Sequence, residues 1–441
     1  MATAQPLERV FARFIEEDED HGCGQLPEDA CREVAGNAAK QVWAQTLQKV
    51  GDLIVDPRTV LSWVMAAVGA PTGFVGLLVP IRESGSMLPQ AALVPLVRRL
   101  SVRKWVWVTG GCLQAMAAAA MALAAAGLQG VAAGVAILLA LAVLATARSL
   151  SSIASKDVLG RTVPKGTRGR VNGWATVGGG VAAITVGLAM RTLGGEQTAA
   201  GTFAWLLLGG AVAWLLAVLV YARIVEAPQG ADASTRAGAA GTAVALLRED
   251  PIFRRFVLAR TLLLVSALTP PFVVALATTR AAGTGLQGLG PFVISSGIAA
   301  LIGGQLWGRM ADRSSRRVMV LACAAASVIV VAFLGLLRIE PVADVEWLYA
   351  ATYLLLALAH TGSRIGRKTY IVDLAQGNRR TEYVAVSNSA MGVLLLVAGA
   401  LSAGVATLGI EAALLLLAVL GFAGVAVSRS LPEVSTSDDL A

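Results

Sequence analysis

The stretch VAAGVAILLALAVLATA, residues 131–147, carries no charged side chain. Its apolar residues occupy every face of a helical projection, whereas a helix on the surface of a soluble protein has one apolar stripe. About 20 such residues span the roughly 30 Å of hydrocarbon in a bilayer. The run also lacks the period of two that a transmembrane β-barrel requires. It therefore predicts a membrane-spanning α-helix.

The composition extends this prediction to the whole chain. Of the 441 residues, 56% are hydrophobic and 15% are charged, and the mean hydropathy is +0.69. A soluble core could not hide so much apolar surface, so we predict an all-α polytopic membrane protein with about twelve transmembrane helices. The predicted spans are residues 59–81, 84–98, 106–126, 131–152, 171–191, 202–223, 253–278, 289–309, 318–337, 347–364, 384–406 and 411–429.

Basic loops between these spans predict the orientation. Because Lys-rich and Arg-rich loops remain in the cytoplasm, we expect both termini on that side of a bacterial plasma (inner) membrane. The same clusters account for the net charge of +8 without a nucleic-acid partner. The clusters are RRLSVRK (98–104), KDVLGRTVPKGTRGR (156–170), GRMADRSSRR (308–317) and RIGRKTYIVDLAQGNRR (364–380).

The chain divides into two related halves. A shift of 212 residues places Lys156 on Lys368 and Gly187 on Gly399, which indicates an internal duplication into two pseudo-symmetric bundles. Trp43 and Ile54 belong to an apolar stripe that predicts an amphipathic helix at the membrane surface. The predicted regions are a cytoplasmic tail with this interfacial helix (1–56), an N-terminal six-helix bundle (57–225), a flexible cytoplasmic linker (226–250), a C-terminal six-helix bundle (251–430) and a second cytoplasmic tail (431–441).

The loop GRMADRSSRR (308–317) joins the predicted eighth and ninth spans. Together with the topology, it resembles the signature loop G-x-x-x-D-R-x-x-R-R of the major facilitator superfamily. The resemblance implies secondary transport by alternating access between two bundles. It also implies a cytoplasmic gating role for the motif, although its arginines fit ordinary positive-inside loops equally. The gating-motif residues are Gly308, Asp312, Arg313, Arg316 and Arg317.

Charged residues within spans cost about 2.5–3.5 kcal/mol each on insertion scales, so they should face protein or water. Glu83, expected in the outer third of the bilayer, is a candidate for proton coupling or a partner of Arg82 at the outer surface. His360 is either a proton relay or a packing residue. Arg148 opens RSLSS (148–152), which is similar to the R-x-x-x-G stretch of that family. The candidates for the substrate cavity or for coupling are Arg82, Glu83, Arg148, Arg260, His360 and Arg364.

We therefore predict a transporter of a small solute, driven by an ion gradient, foremost of protons, or by a substrate gradient. The candidate arginines favour an anionic or zwitterionic solute. The chain is expected to act as a monomer without cofactor or metal, since His21, Cys23 and Cys31 match no zinc pattern. An enzyme is disfavoured because no nucleophile and base pair is apparent. The alternative is a non-transporting membrane sensor or scaffold that acts through its tail.

Overall fold

The computed structural model describes residues 33–90, 93, 97, 99–164, 168–193, 200–228, 248–281, 285–374 and 379–434. All regular secondary structure within these ranges is helical, and nine of the helical segments are long and apolar enough to cross a membrane. The predicted all-α polytopic fold class is therefore confirmed. The residues His21, Cys23 and Cys31, which match no zinc pattern, and most of the predicted linker lie outside the described residues.

The helices of the N-terminal half pack into one bundle. Ala, Leu and Val predominate in them because small and straight-sided apolar residues allow close packing between helices surrounded by lipid. Helix α5 contacts both α3 and α4, and α7 contacts α4 and α1. The helices are α1 Val34–Ile54, α2 Val60–Ala67, α3 Thr72–Met87, α4 Lys104–Gly127, α5 Gly130–Thr162, α6 Arg168–Leu193 and α7 Ala200–Ala222.

The C-terminal half forms a second bundle in which α13 contacts α9, α10 and α11. Asp250 caps its first helix by accepting hydrogen bonds from the backbone N–H groups of Ile252 and Phe253 at 3.0 and 2.9 Å. The helices are α8 Pro251–Leu262, α9 Val265–Arg280, α10 Leu286–Arg313, α11 Ser315–Leu336, α12 Glu340–Ala343, α13 Glu346–Leu374, α14 Arg379–Ala406 and α15 Ile410–Arg429.

The first two spans differ from their predicted boundaries. The predicted first span, 59–81, is interrupted at residues 68–71, where Gly69 adopts a φ of +69° and the chain reverses before α3. The predicted second span, 84–98, begins within the end of α3 and continues into residues that are only partly described. Sequence reading missed this turn because the apolar run continues through it, and Pro71 was interpreted as a kink within a helix.

Helix α1 corrects the predicted interfacial helix. It packs against α6 and α7, so it belongs to the bundle and does not stand apart from it. A Cβ atom at Gly51 would lie 2.7 Å from the indole of Trp214 on α7, which explains a glycine at this close approach. Asn37 fixes the other end through reciprocal hydrogen bonds with the backbone of Val225, both 2.9 Å. The N-terminal bundle thus begins near residue 34, ahead of the predicted residue 57.

The two halves meet along α6 with α10 and along α3 with α14. A Cβ atom at Gly187 would lie 2.7 Å from the backbone nitrogen of Ile294, so the α6 and α10 backbones touch. Arg191, near the end of α6, donates to both carboxylate oxygens of Glu346 at the start of α13, at 2.8 and 3.0 Å. The two halves are therefore closed against each other at the end of the molecule opposite the basic loops.

Candidate functional site

A cavity of about 610 Å³ lies between the two halves. Helices α3 and α5 line it from the N-terminal half, together with the break between α1 and α2, and α8, α9, α13 and α14 line it from the other half. Lys156 and Lys368, toward the C-terminal ends of α5 and α13, are exposed, so the cavity opens toward the basic loops. The charged and polar lining residues are Arg58, Glu83, Ser86, Gln90, Arg148, Ser152, Lys156, Arg260, His360, Arg364, Arg367, Lys368 and Asn388.

Positive charge dominates this lining. Seven of the lining side chains are arginines or lysines, whereas Glu83 is the single carboxylate among the described lining residues. Such an excess in a cleft with low-dielectric walls focuses a positive potential inside it.

Glu83 is occupied by Arg58, whose Nη2 donates to the glutamate Oε1 at 3.0 Å. Glu83 lies eleven residues into α3, about 16 Å from the outer end of that helix at 1.5 Å per residue. It is therefore near the middle of the bundle, and its predicted position in a loop between two spans is corrected. The error follows from the misplaced turn at residues 68–71.

A second acid, Asp52, pairs with the two candidate arginines of the N-terminal half, Arg82 and Arg148. Arg82 and Arg148 each approach one of its carboxylate oxygens at 2.8 Å. Arg82 therefore pairs with α1, across from the cavity, and not with its neighbour Glu83. Sequence reading missed Asp52 because the segment that contains it was placed at the membrane surface, where an acidic side chain is unremarkable.

His360 bridges the two halves at the base of the cavity. Its Nε2 lies 3.4 Å from Nη2 of Arg58, and its Nδ1 lies 3.3 Å from Oγ of Ser266. A guanidinium group can only donate, so Nε2 accepts and the hydrogen is assigned to Nδ1 from the hydrogen-bond network. Ser266 in turn donates to the backbone oxygen of Leu263 at 3.1 Å. The histidine is thus held in one tautomer by one group from each half.

The cavity-lining cations of the C-terminal half have no acidic partner among the described side chains. Arg260 donates to Oγ of Ser387 at 2.6 Å and to Oδ1 of Asn388 at 2.8 Å. Arg367 donates to the backbone oxygen of Ser363 at 3.2 Å. Arg364 and Lys368 are exposed within the cavity.

The structure therefore brings five of the six predicted cavity or coupling residues into one lining, and Arg82 lies outside it. Residues that sequence reading did not single out join them: Arg58, Lys156, Arg367 and Lys368. A signal for two of these was present, because His360, Arg364, Arg367 and Lys368 recur at i, i+4, i+7 and i+8 and so share one face of a helix.

The predicted gating motif lies where α10 ends and α11 begins. Arg316 approaches Glu433, beyond α15, at 3.5 Å, and the Ser314 hydroxyl donates to the same carboxylate. Arg313 and Arg317 are exposed, and Gly308 lies in the last turns of α10. The side chain of Asp312 is outside the described part of the structure, so its gating role stays a prediction.

The N-terminal half has an equivalent junction at the basic segment RRLSVRK (98–104) before α4. Glu226, beyond α7, accepts hydrogen bonds from the backbone N–H groups of Arg103 and Lys104 at 3.0 and 2.7 Å, at the N-terminus of α4. Asp157 pairs with Arg103 and, at 2.9 Å, with Arg161. Acids from α5 and from beyond α7 thus stabilise the start of α4, where the loop itself carries only cations.

The two bundles of this polytopic helical protein enclose a polar cavity between them. The Major Facilitator Superfamily model matches residues 261–439, which lie in the C-terminal half. The chain is therefore similar to this family over those residues. No curated protein matches the chain significantly.

Solved structures of known transporters have the same fold. A mutant of the nucleoside transporter NupG superposes with a TM-score of 0.66 at 14% identity, over 89% of this chain and 99% of the other. The inward-open xylose transporter XylE from E. coli gives 0.67 at 10%, over 92% and 98%. A POT family transporter in complex with 5-aminolevulinic acid gives 0.70 at 8%, over 89% and 94%. At these identities the likeness concerns the fold.

Proposed function

We propose that this protein moves a small organic anion across the membrane by alternating access. The observation that carries the proposal is the charge of the cavity, where seven cations face one carboxylate that is already paired. An isolated positive cluster in a low-dielectric site is costly unless an anion neutralises it. The solute is thus expected to supply the missing negative charge.

Alternating access is supported by the way the two halves meet. Close α6 to α10 packing and the Arg191–Glu346 pair seal one end, while the cavity opens at the end with the basic loops. If those loops are cytoplasmic, as their charge predicts, this is an inward-facing state. Transport then requires the sealed end to open as one bundle rocks against the other. All of the lining lies within one chain, which is consistent with a functional monomer.

The energy source is proposed to be a proton gradient, with His360 as the coupling residue in place of Glu83. Glu83 is committed to Arg58, whereas His360 contacts both halves and has one accepting nitrogen. Adding a proton at Nε2 would remove that acceptor and place a positive charge against Arg58, which breaks the contact between the halves. Exchange for a second anion is the alternative energy source.

The direct test is uptake by the purified full-length protein in proteoliposomes. Counterflow with labelled organic acids, compared with neutral sugars and nucleosides, should detect accumulation of acids alone. Arg58→Gln should abolish it, whereas Arg429→Gln, at the exposed end of α15, should not. Accumulation of neutral solutes with no response to acids would refute the proposal.

The non-transporting sensor or scaffold predicts a different result. It requires no counterflow of any solute class, together with wild-type melting behaviour of the protein. Deletion of residues 1–32, which precede the first described residue, should leave measurable flux if the protein is a transporter. If it is a scaffold, the same deletion should abolish the binding of its partner.

A further inference from the structure

The four cations that line the cavity from the C-terminal half have no acidic partner among the described residues. They are Arg260 on α8 and Arg364, Arg367 and Lys368 on α13. In the N-terminal half, by contrast, Arg58 pairs with Glu83, and Arg148 pairs with Asp52. Apart from Lys156 on α5, the uncompensated charge therefore lies on one side of the cavity.

These four cations form a single cluster. Arg364, Arg367 and Lys368 are spaced i, i+3 and i+4, which places them on one face of α13 with Cβ atoms about 5–6 Å apart. Arg260 is close enough to experience repulsion from Arg367, and Lys368 is repelled by Arg260 and by Lys156 across the cavity. Mutual repulsion of this kind is relieved when a counter-anion sits among the charges.

Two members of the cluster are available to a ligand. Arg260 is bound to Ser387 and Asn388, and Arg367 is turned back along its own helix toward Ser363. Arg364 and Lys368 extend into the cavity with exposed side chains. Arg364 offers the planar fork that binds carboxylate or phosphate through two parallel hydrogen bonds, and Lys368 adds a point charge.

We propose that this cluster is the binding site for an anionic group carrying two negative charges, a phosphate monoester or a dicarboxylate. The inference rests on the proposed anion transport and adds the charge of the solute and the half that holds it. Arg364 and Lys368 contact the anion, while Arg260 and Arg367 supply additional positive potential at short range. A singly charged solute would leave most of the cluster uncompensated.

The wall of the cavity formed by the N-terminal half indicates the chemistry of the uncharged part of the solute. Ser86, Gln90 and Ser152 line the cavity from α3, its C-terminal extension and α5. These neutral groups donate and accept hydrogen bonds, which suits hydroxyl or amide groups rather than a second strong charge. The expected solute is thus a small polar organic molecule with its doubly charged group toward α13 and its neutral part toward α3 and α5.

The test is ligand binding by the purified full-length protein in detergent, followed as a shift of its melting temperature. Inorganic phosphate and succinate at pH 8 are compared with acetate and chloride at matched ionic strength. Phosphate or succinate should raise the melting temperature, and acetate and chloride should not. Arg364→Gln and Lys368→Gln should each weaken that binding by about tenfold, since a hydrogen bond to a charged group contributes about 1.5 kcal/mol.

Matched variants separate the outcomes. Arg429→Gln removes an exposed cation of the same half outside the cavity and should bind phosphate or succinate as the wild type does. Arg364→Lys keeps the charge, so it should retain part of the binding and guards against misfolding of the glutamine variant. Equal binding of acetate, lost in Arg364→Gln, would overturn the double charge while anion transport stands. Binding of neutral solutes alone would overturn both proposals, and full binding in Arg364→Gln and Lys368→Gln would overturn the assigned location.

Discussion

Neutralising Asp52 is expected to destabilise the protein more than neutralising any other acidic residue. It is the shared partner of Arg82 and Arg148, each at 2.8 Å, and the three side chains are 21%, 13% and 27% exposed. Asp52→Asn would leave two largely buried cations without their counter-charge. Breaking a buried ion pair costs about 3–5 kcal/mol, and partial access to solvent places the expected loss near about 3 kcal/mol.

The measurement is the free energy of unfolding in mixed micelles, together with the melting temperature in detergent. Asp344→Asn, an exposed acid on the far side of the molecule, is the matched control and should stay within about 0.5 kcal/mol of the wild type. Arg82→Gln should cost less than Asp52→Asn, because Asp52 keeps Arg148. The double variant Asp52→Asn/Arg82→Gln should be more stable than Asp52→Asn alone, since only one cation is then unpaired.

This ordering makes the reasoning refutable. If Asp52→Asn unfolds like the wild type, the pairing does not hold α1 to α3 and α5. A different outcome is a loss of unfolding free energy in the double variant that equals the sum of the losses in the two single variants. In that case the three residues act independently and do not form one network.

Three further predictions concern coupling and closure. His360→Gln should remove most of the dependence of uptake on an imposed proton gradient, while downhill exchange of the solute persists. Glu346→Gln should raise the reactivity of a cysteine introduced as Met190→Cys, a buried position beside Arg191, toward an impermeant thiol reagent several-fold, because the sealed end loses its ion pair with Arg191; unchanged labelling would exclude that role. Glu433→Gln should lower the free energy of unfolding by about 1 kcal/mol, and the melting temperature with it, because its contacts with Ser314 and Arg316 are weakened.

The fold class was predictable because lipid imposes a strong constraint on sequence. Any chain segment that crosses hydrocarbon must satisfy its backbone internally and present apolar side chains, so residues 131–147 could have few other structures. The exception was the first span, where α1 contains Lys40, Gln41, Lys49 and Asp52. These polar residues are tolerated because α6 and α7 shield them from lipid. The average hydropathy of a sequence window contains no information about which helices are neighbours.

The site was only partly predictable for a related reason. Arg148, Arg260, His360 and Arg364 stand out as charges within apolar runs, and the structure brings them to one cavity. Pairing, however, depends on which helices are neighbours. Nothing in the sequence indicates that Arg58 would reach both Glu83 and His360, residues 25 and 302 positions away along the chain.

The unequal pairing of charge between the halves has a mechanistic consequence. The N-terminal half pairs Arg58, Arg82 and Arg148 with its own Asp52 and Glu83, so most of its positive charge is compensated before any solute arrives. The C-terminal half lacks such acids among its described lining residues, and the solute completes it. A bound anion would therefore remain with α13 while the N-terminal bundle moves, and the contact between Arg58 and His360 would be one that each cycle must break, together with the Arg191–Glu346 pair at the sealed end. Charge reversal at Glu83 should accordingly disturb the motion more than solute affinity, whereas neutralising Lys368 should do the opposite.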